Sequence, residues 1–132
     1  FGGGKLNYSE VLENLNVLDY DYFFKITEAL LAEDAAQIML HFNTILQKGF
    51  EGDDFIIGLC EHFRNLLFCK DAATVKLLEM SSSLKERYAR QANIASGTFL
   101  VNCLALGNQC DVQYKQSKNR RLTVELTLIK MC

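Results

Sequence analysis

Apolar residues recur at three- and four-residue spacing from Asn7 onward, and the runs are punctuated by residues that start or stop helices. Asn7, with Glu10 three positions on, forms a variant capping box that opens a short helix through about Leu15. Asp19 caps a second helix from about Tyr20 to Ala32, where Tyr20, Phe23, Phe24, Ile26, Leu30 and Leu31 share one broad side. Asp34 caps a third, with Ala35, Ile38, Met39, Phe42, Ile45 and Leu46 as its stripe and Gly49 as its left-handed stop. Asp53 starts a fourth that buries Phe55, Ile56, Leu59, Phe63, Leu66 and Leu67. Ile57 and Phe68 fall on the far side of that helix, bracketing Arg64.

Asp71 opens a short fifth helix through Leu78, and the run Ser81-Ser82-Ser83 caps a sixth reaching about Ala95. Ser96 starts a seventh through Gln116, lined on one edge by Phe99, Cys103, Leu106, Cys110 and Tyr114 and widened by Leu100 and Leu104. The last segment is ambiguous. Leu122, Val124, Leu126 and Leu128 alternate with Thr123, Glu125 and Thr127, which is a strand pattern. No other segment offers a strand partner, and a lone strand leaves its backbone unsatisfied. A largely buried helix from Arg120 to Met131, capped by Asn119, is therefore expected. The pattern predicts an all-α fold, a single compact bundle of seven or eight helices over residues 7–132, after a flexible lead-in over 1–6.

Composition adds boundaries. A chain of 132 residues with 49% hydrophobic and 23% charged residues can bury a core without disulfides. A formal net charge of −2 supplies no field to attract nucleic acid or an anionic membrane. The five cysteines, at 60, 69, 103, 110 and 132, make no C-x-x-C pair and read as reduced thiols serving as small apolar residues. The chain opens on Phe1 rather than Met and reads as a piece of a longer protein.

Candidate chemistry is sparse. Gly2-Gly3-Gly4-Lys5 lacks the hydroxyl residue and the earlier glycine of a phosphate loop, since Leu6 follows the lysine. His41 and His62 have no metal-ligand spacing and read as surface or partly buried structural residues. Lys115, Lys118, Arg120 and Arg121 form the one basic concentration. A nucleic-acid module using Lys115 to Arg121 is the alternative reading, although the cluster lies at a helix–helix turn.

The run from Gln91 to Cys110 carries no charge at all. Charge depletion marks the centre of subunit interfaces, but a helix central to its own domain has the same composition; both readings stand. The candidate interface comprises Phe99, Leu100, Asn102, Cys103, Leu104, Gln109, Gln113 and Gln116, with Ile57 and Phe68 as a second patch.

The stretch Glu13-Asn14-Leu15-Asn16-Val17-Leu18-Asp19-Tyr20-Asp21-Tyr22-Phe23-Phe24 resembles the gamma/tau subunit of bacterial DNA polymerase III where its ATPase module passes into its third domain. Similar matches follow in order: Ile45-Leu46-Gln47-Lys48-Gly49-Phe50, His62-Phe63-Arg64-Asn65-Leu66-Leu67, Cys69-Lys70-Asp71, Lys85-Glu86-Arg87-Tyr88, Asn119-Arg120-Arg121-Leu122 and Val124-Glu125-Leu126. The resemblance spans roughly Leu6 to Met131. It implies an all-helical collar domain that joins clamp-loader subunits into a ring-like pentamer in the bacterial cytoplasm. Partners so implied are the delta and delta-prime subunits and further gamma/tau copies, with self-association of the isolated domain, no membrane and no direct DNA contact. The parent so implied is an ATPase subunit of a DNA-directed DNA polymerase, a nucleotidyltransferase. Its ATP, Mg and Zn belong to the upstream module, so the resemblance carries no catalytic, cofactor or metal residue onto this chain.

Overall fold

The computed structural model describes residues 20–132. The expected helix over Asn7–Leu15, the Asp19 cap and the lead-in over 1–6 lie outside the described residues. Among the described residues the chain forms seven helices and no strand: α1 (20–31), α2 (Ala35–Gln47), α3 (Gly52–Phe68), α4 (Ala72–Val75), α5 (Ser82–Ile94), α6 (Gly97–Tyr114) and α7 (Arg120–Met131). The expected all-α class holds.

Five of the expected caps close as hydrogen bonds. Asp34, Asp71, Ser81, Ser96 and Asn119 accept from the backbone amides of Gln37, Ala73, Leu84, Phe99 and Leu122. Asp34 serves two helices, because its own amide also donates to the Ala29 carbonyl at 2.9 Å and closes the end of α1. That closure holds Glu33 in the left-handed region (φ 55). Gly49 ends α2 in the same region (φ 99), as its sequence position implies.

Three boundaries differ from expectation; α6 ends at Tyr114, short of Gln116, whose amide turns back to the Gln113 carbonyl in a three-residue bond. Helix α3 starts at Gly52, ahead of Asp53, with Glu51 at a cap position that makes no side-chain hydrogen bond. Asp53 and Asp54 then occupy the first turn, where the helix dipole favours carboxylates without a formal cap. Helix α4 stops at Val75 rather than Leu78, because the Leu77 and Leu78 amides turn back to the Thr74 and Val75 carbonyls in tighter three-residue bonds.

Helix α3 is the axis of the core. It buries Phe55, Ile56, Leu59, Phe63 and Leu66, and α1, α2, α5, α6 and α7 surround these side chains with Phe24, Leu30, Phe42, Tyr88, Leu100 and Leu128. Helix α6 runs antiparallel to α3, so Gly52 faces Tyr114, Cys60 faces Gly107 and Phe63 meets Phe99. The approach at the middle of this pair is close. A Cβ added at Gly107 would collide with Cys60 Sγ.

His62, expected at or near the surface, is buried in this core; its exposure is 1%. Its Nε2 lies 2.7 Å from Gln91 Oε1, and Gln91 Nε2 donates to the Phe24 carbonyl at 3.0 Å. With the amide nitrogen committed to Phe24, the imidazole must donate from Nε2, which assigns the neutral tautomer and ties α1, α3 and α5 together. The Phe24 ring meets the imidazole edge-on at 4.6 Å, and Tyr88 lies 5.1 Å away. The correction has a physical cause. His62 follows Leu59 by three residues, so it shares the inward face, and Gln91 arrives from α5 to satisfy it.

Two outcomes test this packing. Gly107→Ala should destabilise the fold by about 1–3 kcal/mol, the usual penalty for overfilling a core. Adding Cys60→Ala should recover part of that loss, a coupling that a double-mutant denaturation cycle reads directly. Burial drives the His62 pKa from 6.5 down to about 4, with Arg87 acting in the same direction and the Gln91 hydrogen bond opposing. Above pH 6.5 the ring is neutral folded or unfolded; below it the unfolded chain gains a proton that the folded chain refuses until about pH 4. Stability should fall across that window, by about 3 kcal/mol at the lower end, and His62→Gln should remove this component from the pH profile of the denaturant midpoint.

Candidate subunit interface

The charge-free run divides between two helices and two environments. Its α5 portion lies in the core through Gln91, Ala92 and Ala95. On α6 the inward side is Leu100, Cys103, Gly107 and Cys110, all buried. Leu100 and Cys103 therefore leave the list of candidate interface residues, because the contact with α3 and α7 turns both side chains into the chain's own core.

The outward side of α6 carries Val101, Asn102, Ala105, Asn108, Gln109, Val112 and Gln113, all exposed and all uncharged, and the candidate Gln116 lies exposed in the turn beyond the helix. A surface helix ordinarily carries charge on its outward side. Phe99 and Leu104 are half-buried at the margins. Ile57, on the outer side of α3, joins Leu104, Gly107 and Asn108 around a groove of about 420 Å³, with Glu61 and Asp111 in its lining. Two separate sequence candidates thus become one surface. Phe68 does not join it; it is half-buried at the other end of α3, with the Arg64 guanidinium 5.6 Å from its ring centroid.

Helix α7 adds what the sequence reading missed. It is not largely buried: Leu122, Leu126 and Ile129 are 46%, 48% and 51% exposed. On a helix, residues two apart lie about 200° apart, so an alternating apolar series splits between opposite faces. Val124 and Leu128 go to the core while Leu122 and Leu126 go outward. The i, i+4, i+7 spacing of Leu122, Leu126 and Ile129 was the available signal. Cys110 lies against Thr123 of α7 and Met131 lies near Gly107, so α6 and α7 are laid side by side.

The two arginines of the basic cluster serve the fold, while Lys115 and Lys118 are exposed. Arg120 donates to the Tyr114 and Lys115 carbonyls at 3.2 and 3.4 Å, capping the end of α6, and stacks 5.3 Å over the Tyr114 ring. Arg121 donates to Glu125 and to Asn43 of α2, both at 3.0 Å. Burial pushes the thiols of Cys60 and Cys103 up to about 11 and about 12, so both are protonated near neutral pH and poorly nucleophilic. Among the described residues no His, Cys, Asp or Glu group could hold a metal ion, and no helix is long and apolar enough to cross a membrane.

Fold and surface together define a class: a helical domain whose distinguishing feature is an uncharged outer face. The family model for domain III of the DNA polymerase III subunits gamma and tau matches residues 6–132, and the chain belongs to that family. A search of curated proteins gave no match. Arg120→Gln should lower stability by about 0.5–1 kcal/mol through loss of the α6 cap, measured by the denaturant midpoint.

Proposed function

We propose that this domain fastens gamma/tau copies and their partner subunits side by side in the clamp loader of the bacterial replicative polymerase. The outer face of α6 is the observation that supports it most. Asn102, Asn108, Gln109 and Gln113 can hydrogen-bond across a boundary without the desolvation penalty of a charge, and Val101, Ala105 and Val112 supply apolar area between them. The groove beside Ile57 gives the face a recess for a neighbour's side chain.

In this reading the domain is the static part of the assembly. It holds subunits in a ring while ATP-dependent motion in other modules opens the sliding clamp, in the cytoplasm of the bacterium. A standard interface removes about 800 Å² from each partner. A ring requires two different contact faces on every subunit, and the α6 face is one of them.

The domain should associate with itself or with delta, delta-prime or gamma/tau partners in a concentration-dependent manner, seen by light scattering. Asn102→Arg or Gln109→Glu should weaken that association at least tenfold while helicity and melting temperature stay unchanged. A monomer at high concentration that binds none of these partners would sink the proposal, as would unaltered association in both variants.

A further inference from the structure

A second cleft, of about 400 Å³, lies between α1, α3 and α5, is closed at one side by Ile45 of α2 and by Phe50, and contains no residue of α6. Its volume lies within the range of small-ligand sites, about 300–1,000 Å³. Its walls are ring faces and edges from Tyr20, Phe23, Phe50 and Tyr88. The carboxylates of Asp54 and Glu61 lie in the same lining, two turns apart along α3. Among the described residues no lysine or arginine lines it.

Every charged group in that lining is therefore an anion. The one imidazole, His62, is neutral and donates its only N–H to Gln91. Its Nδ1 is buried and has no hydrogen-bond partner among the described residues. Aromatic rings and two carboxylates, beside the neutral Asn65 amide and the tyrosine hydroxyls, define a surface with negative charge and no positive charge to match it. A guanidinium supplies that charge in the form these walls suit, because it stacks on ring faces and pairs with carboxylates through a planar fork of N–H donors.

The chain makes this kind of contact within its own fold. Beside the cleft, but outside it, the Arg87 guanidinium lies 4.3 Å from the Phe24 ring centroid and 2.9 Å from an Asp21 carboxylate oxygen. The main cleft offers rings and carboxylates with no arginine of its own.

We propose that the α1–α3–α5 cleft receives an arginine side chain presented by a partner protein, with the guanidinium stacked between rings and held by Asp54 and Glu61. This assignment does not depend on the α6 face, because the two surfaces use different helices apart from α3.

The test uses the whole chain and two probes, N-acetyl-arginine N′-methylamide and its neutral isostere N-acetyl-citrulline N′-methylamide, with the lysine analogue as a third. Aromatic NMR signals of Phe23 and Tyr88 should shift saturably with the arginine probe and at least tenfold more weakly with citrulline. Glu61→Gln, alone and with Asp54→Asn, should bring the arginine response down towards the citrulline level at an unchanged melting temperature. No saturable shift would overturn the assignment, including the case in which residues before Tyr20 fill the cleft. Equal responses to arginine and citrulline, or full retention in the double variant, would do the same. A lysine response matching that of arginine would leave a site for any cation and refute the guanidinium specifically.

Discussion

Helix α6 lies so close to α3 that the position opposite Cys60 has no room for a side chain, and Gly107 fills it. Much follows from this contact. It sets the rotation of α6 about its own axis, which sends Leu100, Cys103 and Cys110 inward and Asn102, Ala105, Gln109 and Val112 outward. It also brings α7 against the core, since Met131 lies near Gly107 and Val124 lies against the Gly52–Tyr114 contact at the far end of the pair. The uncharged outer face is a consequence of helix packing: the same stretch of sequence would present a different surface if α6 were turned by half a revolution.

The other half of the molecule is organised by a polar contact. His62, Gln91 and the Phe24 carbonyl form a buried chain of hydrogen bonds among α3, α5 and α1. Hydrogen bonds of this kind are directional, so they specify register where apolar contact alone tolerates sliding. Breaking one partner would strand a buried donor or acceptor, which is the expensive failure. Phe23 packs over Gly58 on the same side, and the cleft lined by Tyr20, Phe23 and Tyr88 opens beside this node.

The two arginines at the turn between α6 and α7 show how charges from a basic cluster are taken up by helix ends and interhelix contacts. Arg120 neutralises carbonyls that α6 leaves open, and Arg121 links α7 to α2 through Asn43. Lys70 does similar work elsewhere, donating to the Ala92 carbonyl of α5 at 2.8 Å. The thiols follow the same economy: burial keeps those of Cys60, Cys69, Cys103 and Cys110 protonated and makes them packing groups. These arginines and thiols are committed to the domain's own architecture, while Asn102, Asn108, Gln109 and Gln113 on the outer side of α6 stay exposed.

The amino-acid sequence by itself determined the helices, their caps and most of their inward faces. Those depend on spacing within one turn and on hydrogen bonds between residues three apart, as at Asp34, Ser81, Ser96 and Asn119. Even the misleading alternation in α7 was resolved by local physics, because an unpaired strand has no partner for its backbone. Tertiary structure decided the rest. It assigned Leu100 and Cys103 to the core, gathered Ile57 and Leu104 into one groove, left Leu122, Leu126 and Ile129 outside, and buried His62 against Gln91. Each of these depends on a residue dozens of positions away or on the rotation of one helix against another, and no local periodicity encodes which apolar side of a helix its neighbours will cover.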